Sequence, residues 1–183
     1  MKAKRLFYLL AICLIASAIV GCGETASTGT EKKQSEANPV KESQASLLDP
    51  CEIITKIEAE AALGEPLKQE RPSTAANPLN QRQCFYSSDS SDRFILVSIL
   101  QTPGLTPAVR EQGQSAATIF KTIKENLDPV ATVQGIGDDA CWGTPGLHIL
   151  AGETYLLIGV GNTSRPENLE FAKSLASTAL GRL

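Results

Sequence analysis

The chain has 183 residues, 42% apolar and 20% charged, with 17 basic against 20 acidic side chains, five cysteines and one histidine. A net charge of −3 argues against a nucleic-acid partner, whose phosphates demand a basic face. One histidine also puts a three-histidine or Cys/His zinc centre out of reach.

In chain order, Lys2, Lys4 and Arg5 form a basic start and Leu6 to Val20 an apolar run shorter than the roughly 20 residues that a spanning helix needs. Ile19-Val20-Gly21-Cys22 closes it. This is a secretory signal peptide over residues 1–21. Its end looks like the lipobox of bacterial lipoproteins, which implies thioether attachment of diacylglycerol to Cys22 and cleavage before it. Two or three acyl chains anchor stably, since each buried methylene contributes ~0.8 kcal/mol. Cleavage removes three basic and no acidic residues, so the mature chain is more acidic still and depends on its lipid for attachment. The expected location is the cell membrane, facing the periplasm or exterior. In a host with two membranes the outer one is the default, because Gly23 stands where an aspartate resembles an inner-membrane retention signal.

Residues 22–46 carry the lipid and a polar tether rich in Ser, Thr, Gly, Glu, Lys and Gln, too poor in apolar surface to fold. As a flexible coil it spans on the order of 25 Å, against a radius of gyration of about 14 Å for the single domain expected over residues 47–183.

In that domain Asp49-Pro50-Cys51-Glu52 marks a helix start, with a capping aspartate, a proline in the first turn and an acid three residues after the cap. One helix over residues 52–63 is predicted, with Ile53, Ile54, Ile57, Ala61 and Ala62 inward and Gly64 as its stop. A Pro- and Asn-rich loop leads to a hairpin of strands at 83–87 and 94–100. A second helix is expected over 114–127, with Ala117, Ile119, Phe120, Ile123 and Leu127 at helical spacing. Four short strands follow at 130–133, 140–142, 147–150 and 154–160, and a last helix over 166–180 turns Leu169, Ala172, Leu175, Ala176 and Ala179 inward. This order predicts an α+β fold: an antiparallel sheet flanked by helices.

Asp49-Pro50-Cys51, Leu63-Gly64, Cys84-Phe85-Tyr86 and the turn Gly135-Ile136-Gly137-Asp138-Asp139-Ala140 together resemble a family of exported bacterial, largely actinobacterial, lipoproteins built on a domain of unknown function. The resemblance implies a PsbP-like α+β sandwich, a disulfide between Cys51 and Cys84, and no established activity. By analogy with PsbP-like accessory subunits it favours an interaction role. Cys141 departs from the family pattern. In an oxidising compartment Cys51, Cys84 and Cys141 leave one thiol over, and Cys141 reads either as a small buried hydrophobe or as a reactive thiol.

Four constellations tempt a sharper reading. Gly135-x-Gly137-x-x-Ala140 fits the dinucleotide fingerprint, but Gly143, Pro145 and Gly146 forbid the helix that would follow, so it reads as a glycine-rich turn. Gly159-Val160-Gly161 to Ser164 does run from strand to helix, yet too little chain follows for a nucleotide-binding unit. Asp138 and Asp139, adjacent on a strand, point to opposite faces, one capping a turn and the other facing solvent, so no metal site or carboxylate pair is expected. Cys141, His148 and Asn162 have the residue types of a cysteine hydrolase, but a catalytic cysteine usually begins a helix, whereas Cys141 lies in a strand. The leading expectation is a non-catalytic, cofactor-free module that binds an envelope protein through an open face or edge of its sheet. A carrier of a small apolar ligand or lipid, held between helix and sheet, is the alternative, and the hydrolase a second one.

Overall fold

The computed structural model describes residues 47–71 and 77–183. The expected signal peptide, lipidated Cys22 and tether, residues 1–46, lie outside the described residues.

Capping sets the first helices. Asp49 accepts the amide of Cys51 and opens α1 (Pro50–Ile53), which stops at Ile54, whose backbone is extended. The Ile54 carbonyl accepts the hydroxyl of buried Tyr86, and Thr55 and Glu58 form a capping box that starts α2 (Lys56–Leu63) afresh. The single helix expected over 52–63 is therefore two, and the break re-phases the second. Ala59 and Leu63 face the core, while Ile57, Ala61 and Ala62, expected inward, are exposed, Ile57 at 78%. Gly64, in the left-handed region, ends α2 as expected.

The strands are β1 (Leu67–Glu70), β2 (Arg82–Ser88), β3 (Phe94–Gln101), β4 (Ala131–Val133), β5 (Asp139–Gly143), β6 (Gly146–Ala151) and β7 (Thr154–Gly159). They form one antiparallel sheet of seven strands in the order β1-β2-β3-β7-β6-β5-β4. β1 lies where a loop was expected. The link from β3 to β4 contains a 3-10 turn (Thr102–Gly104), α3 (Pro107–Glu111) and α4 (Ala116–Asn126), and α5 (Pro166–Leu180) follows β7. The architecture is α+β, as expected.

Strand alternation sends side chains to two faces. One face buries Cys84, Tyr86, Ile95, Val97, Ile99, Ala140, Trp142, Leu147, Ile149, Leu156 and Ile158 against α1, α2 and α5. α5 contributes Ala172, Leu175, Ala176 and Ala179, and Leu169 packs half-buried beside them. The other face buries Leu100, Cys141, Tyr155 and Leu157 beneath Leu105, Ala116 and Phe120. α4 starts at its Ser115 cap, so Ala116 rather than the expected Ala117 points inward.

The two ends of the sheet are built differently. The described chain enters where β3 finishes: the Leu48 amide donates to Gln101 Oε1, and Arg82 Nη1 donates to the carbonyls of Leu47 and Leu48. α5 brings Arg182 back to this end, where it pairs with Glu58 and donates to the Ile53 carbonyl. The start of β3, the finish of β7 and the first turn of α5 make up the opposite end.

Candidate functional site

The register places Cys141 on β5 directly opposite His148 on β6, with Leu157 and then Ser98 continuing the row across β7 and β3. His148, 2% exposed, shares a hydrogen bond of 2.7 Å with Tyr155 through Nδ1, and the two rings stack. Its Nε2 is buried and has no hydrogen-bond partner. Burial holds the imidazole below its ordinary pKa, while the nearby carbonyls of Gly143 and Thr144 pull weakly the other way. Burial likewise pushes up the Tyr155 phenol and the Cys141 thiol; Lys124 opposes the thiol's shift and Asp139 adds to it. The row is thus a neutral polar cluster inside an apolar layer, with a thiol far from thiolate character.

Of the hydrolase constellation the fold brings Cys141 and His148 to one face but places no hydrogen bond between them, and His148 is engaged by Tyr155 instead. Asn162 lies in the loop before α5, where its Oδ1 accepts the Ser164 amide. The space between α4 and the sheet, where an apolar ligand was an alternative, is occupied by Phe120, Tyr155, Leu100 and Leu157.

The Gly135–Ala140 turn links β4 to β5 with no helix after it. Gly135 and Gly137 both take positive φ, and a Cβ on Gly137 would lie 2.4 Å from the Leu150 carbonyl oxygen. Asp138 accepts the Gly152 amide and so ties this turn to the β6–β7 turn, while Asp139 accepts two hydrogen bonds from Lys124 of α4. Ala140 is buried in the core. These residues hold turns and helices together. Among the described residues no three His, Cys, Asp or Glu side chains gather as a metal would require, and no helix is long and apolar enough to cross a membrane.

Cys51 and Cys84 are joined in a disulfide that fixes α1 to β2, and Cys141 is a buried free thiol. This agrees with the pairing that the resemblance implied and with the buried-hydrophobe reading of Cys141.

A cleft of about 650 Å³ opens at the end of the sheet remote from where the chain enters. It forms because the β3–β7 ladder ends at the Leu96–Gly159 pair: beyond it the chain departs through Val160 and Gly161 to α5, while β3 still has Phe94 and Ile95, which pair with β2 alone. Leu63, Phe94, Val160 and Phe171 supply apolar lining, and Asp92, Arg93, Asn162, Arg165, Glu167 and Asn168 polar lining. Trp142 steadies the loop, its Nε1 donating to the Thr163 carbonyl at 2.8 Å, and Asn168 donates to the Asn162 carbonyl. In the sequence the Gly159–Ser164 segment stands out only as a nucleotide-binding pattern and through Asn162 of the hydrolase constellation. The other cleft residues come from the end of α2, the β2–β3 tip and α5, and no local spacing connects them.

Comparison with family models, with curated proteins and with solved structures returned no match.

Proposed function

We propose that the chain is a lipid-anchored, non-catalytic binding module of the cell envelope, attached through Cys22, and that the cleft at the far end of its sheet is the surface that meets a protein partner. The observation that carries this reading is the position of the cleft. Leu47 and Leu48 are fixed beside Gln101, and the cleft begins at Phe94, so most of the length of β3, roughly 23 Å, separates the two. Leu47, where the described domain begins, and the cleft thus lie at opposite ends of the sheet. The family resemblance, its PsbP-like sandwich and its accessory role belong to the same proposal and point the same way.

Native mass spectrometry of the full-length lipoprotein, released gently from its own envelope, tests the reading. The expected result is a complex with a protein, present for the wild type and lost in Glu167→Phe, which fills the cleft from an exposed position. A bound small molecule lost on denaturation, with no protein in the complex, would replace the module by a carrier. Cys22→Ser is expected to move the chain from the membrane to the soluble fraction; retention in the membrane contradicts the anchor.

A further inference from the structure

We infer that the cleft recognises an extended, uncharged stretch of polypeptide that lays one large apolar side chain between Phe94 and Phe171 and pairs its backbone with the free edge of β3. The inference rests on the cleft being the binding surface and adds the chemistry of the partner.

Three observations converge. The first is an unpaired strand end at the cleft. Phe94, which lines the cleft, has a partner in β2 and none in β7, because the ladder stops at Leu96–Gly159; Ile95 behind it is buried. Adding a strand to such an edge is a general way of binding a peptide through main-chain hydrogen bonds, with side-chain pockets giving selectivity. The second is charge. Arg93 and Arg165 face Asp92 and Glu167 around the same opening, so their charges cancel. Arg93 is further engaged by the Leu63 carbonyl at 2.7 Å and by Glu65 at 3.6 Å. A lining without net charge has no preference for a phosphate, an acidic peptide or a cation. The third is unspent hydrogen-bonding capacity of both kinds. Among the described residues no bond reaches the Arg165 guanidinium or the carboxylates of Asp92 and Glu167, and the Asn162 amide group and the Asn168 side-chain oxygen are also uncommitted. Donors beside acceptors suit a peptide backbone, which presents both, whereas an acyl chain presents neither. The apolar lining accounts for the one large side chain.

The full-length lipoprotein in detergent micelles is exposed to a randomised bead-bound library of uncharged heptapeptides blocked at both ends, and retained sequences are remeasured by fluorescence anisotropy. Retained peptides are expected to share one large apolar residue. Its replacement by alanine, or N-methylation of the neighbouring amides, is expected to weaken binding by about tenfold or more. Moderate salt is expected to change the affinity by less than about twofold, because no net charge is neutralised. Glu167→Phe is expected to abolish retention with an unchanged unfolding midpoint. An empty selection, N-methylated peptides that bind equally well, or displacement by inorganic phosphate or short-chain phosphatidylglycerol would each overturn the inference. If the native complex of the preceding section forms and is lost in Glu167→Phe while the selection is empty, this inference fails alone. If that complex does not form, or survives Glu167→Phe, the reading beneath it fails as well.

Discussion

His148 is buried beside Tyr155 with no carboxylate against it: Tyr155 on β7 and Cys141 on β5 are the titratable groups in direct view, and the nearest charges, Lys124 of α4 and Asp139, satisfy one another. Its folded pKa is lowered, so between the unfolded value near 6.5 and the lower folded one the unfolded chain binds the proton more readily. Stability is fully present above about pH 6.5 and falls as the pH drops below it, by up to about 1.4 kcal/mol per pH unit. No other histidine exists to share that window, and the depressed carboxylates act lower: the contribution of Glu58, held down to about 2 chiefly by Arg182, is lost as the pH falls from the ordinary carboxylate value near 4.5 toward 2. Urea unfolding between pH 5 and 7 is expected to show this slope in the wild type and a flat line in His148→Gln; a wild type already flat there contradicts the burial of a neutral imidazole. Two glycines of one turn separate conformation from crowding. Gly135→Ala meets open space and is expected to cost about 1 to 2 kcal/mol for its positive φ alone, whereas Gly137→Ala adds a collision with the Leu150 carbonyl and is expected to cost distinctly more. Chemical denaturation of the two variants checks the order; equal losses would mean that the Leu150 contact is not close.

At the level of elements, the break between α1 and α2 turns Ile57 to solvent. Ile57→Lys is therefore expected to leave stability within about 0.5 kcal/mol, whereas an inward Ile57 on one continuous helix would make the same change cost several times more. Thr55→Ala removes the capping box and is expected to cost about 1 kcal/mol. Both follow from thermal denaturation. These helices show where the sequence is legible and where it stops. Thr55-Lys56-Ile57-Glu58 is itself a capping-box pattern, but the Asp49-Pro50 start, its cap six residues earlier, makes an uninterrupted helix look sufficient. What settles the matter is Tyr86, a residue 32 positions away in sequence, whose hydroxyl takes the Ile54 carbonyl. β1 fails for a similar reason: Leu67-Lys68-Gln69-Glu70 has no strand propensity and is extended because β2 pairs with it. The branched residues of β3 and of β5 to β7, and the spaced apolar residues of α4 and α5, carry their own periodicity, and these elements lie within a few residues of where the pattern put them. Cys141, His148 and the Gly135–Ala140 turn were visible because each is a local or rare feature. The cleft was not, because the divergence of β3 from the chain after β7 is a property of the register.

Over the whole molecule the two ends of the sheet divide the work. One end is a fastening: the disulfide joins α1 to β2, Arg82 grips Leu47 and Leu48, and Arg182 closes the carboxyl end onto Glu58 and Ile53. The disulfide closes a loop of 33 residues, and Cys51→Ala with Cys84→Ala is expected to lower stability by roughly 3 to 4 kcal/mol. Urea titration of this double variant measures that loss, and an unchanged midpoint would remove the disulfide from the fastening. The other end is the cleft, with charged residues on its rim that no described partner occupies. The most direct test of this division is site-specific photocross-linking of the full-length protein in living cells of its own host. A photoreactive residue replaces either Ser164, exposed beside the cleft residues Asn162 and Arg165 but outside the cleft lining, or Ala108, exposed on α3 near the fastened end. The account predicts a discrete protein adduct from position 164 and none from position 108. An adduct confined to position 108, or no adduct from position 164, would contradict the assignment of the cleft as the surface that meets the partner.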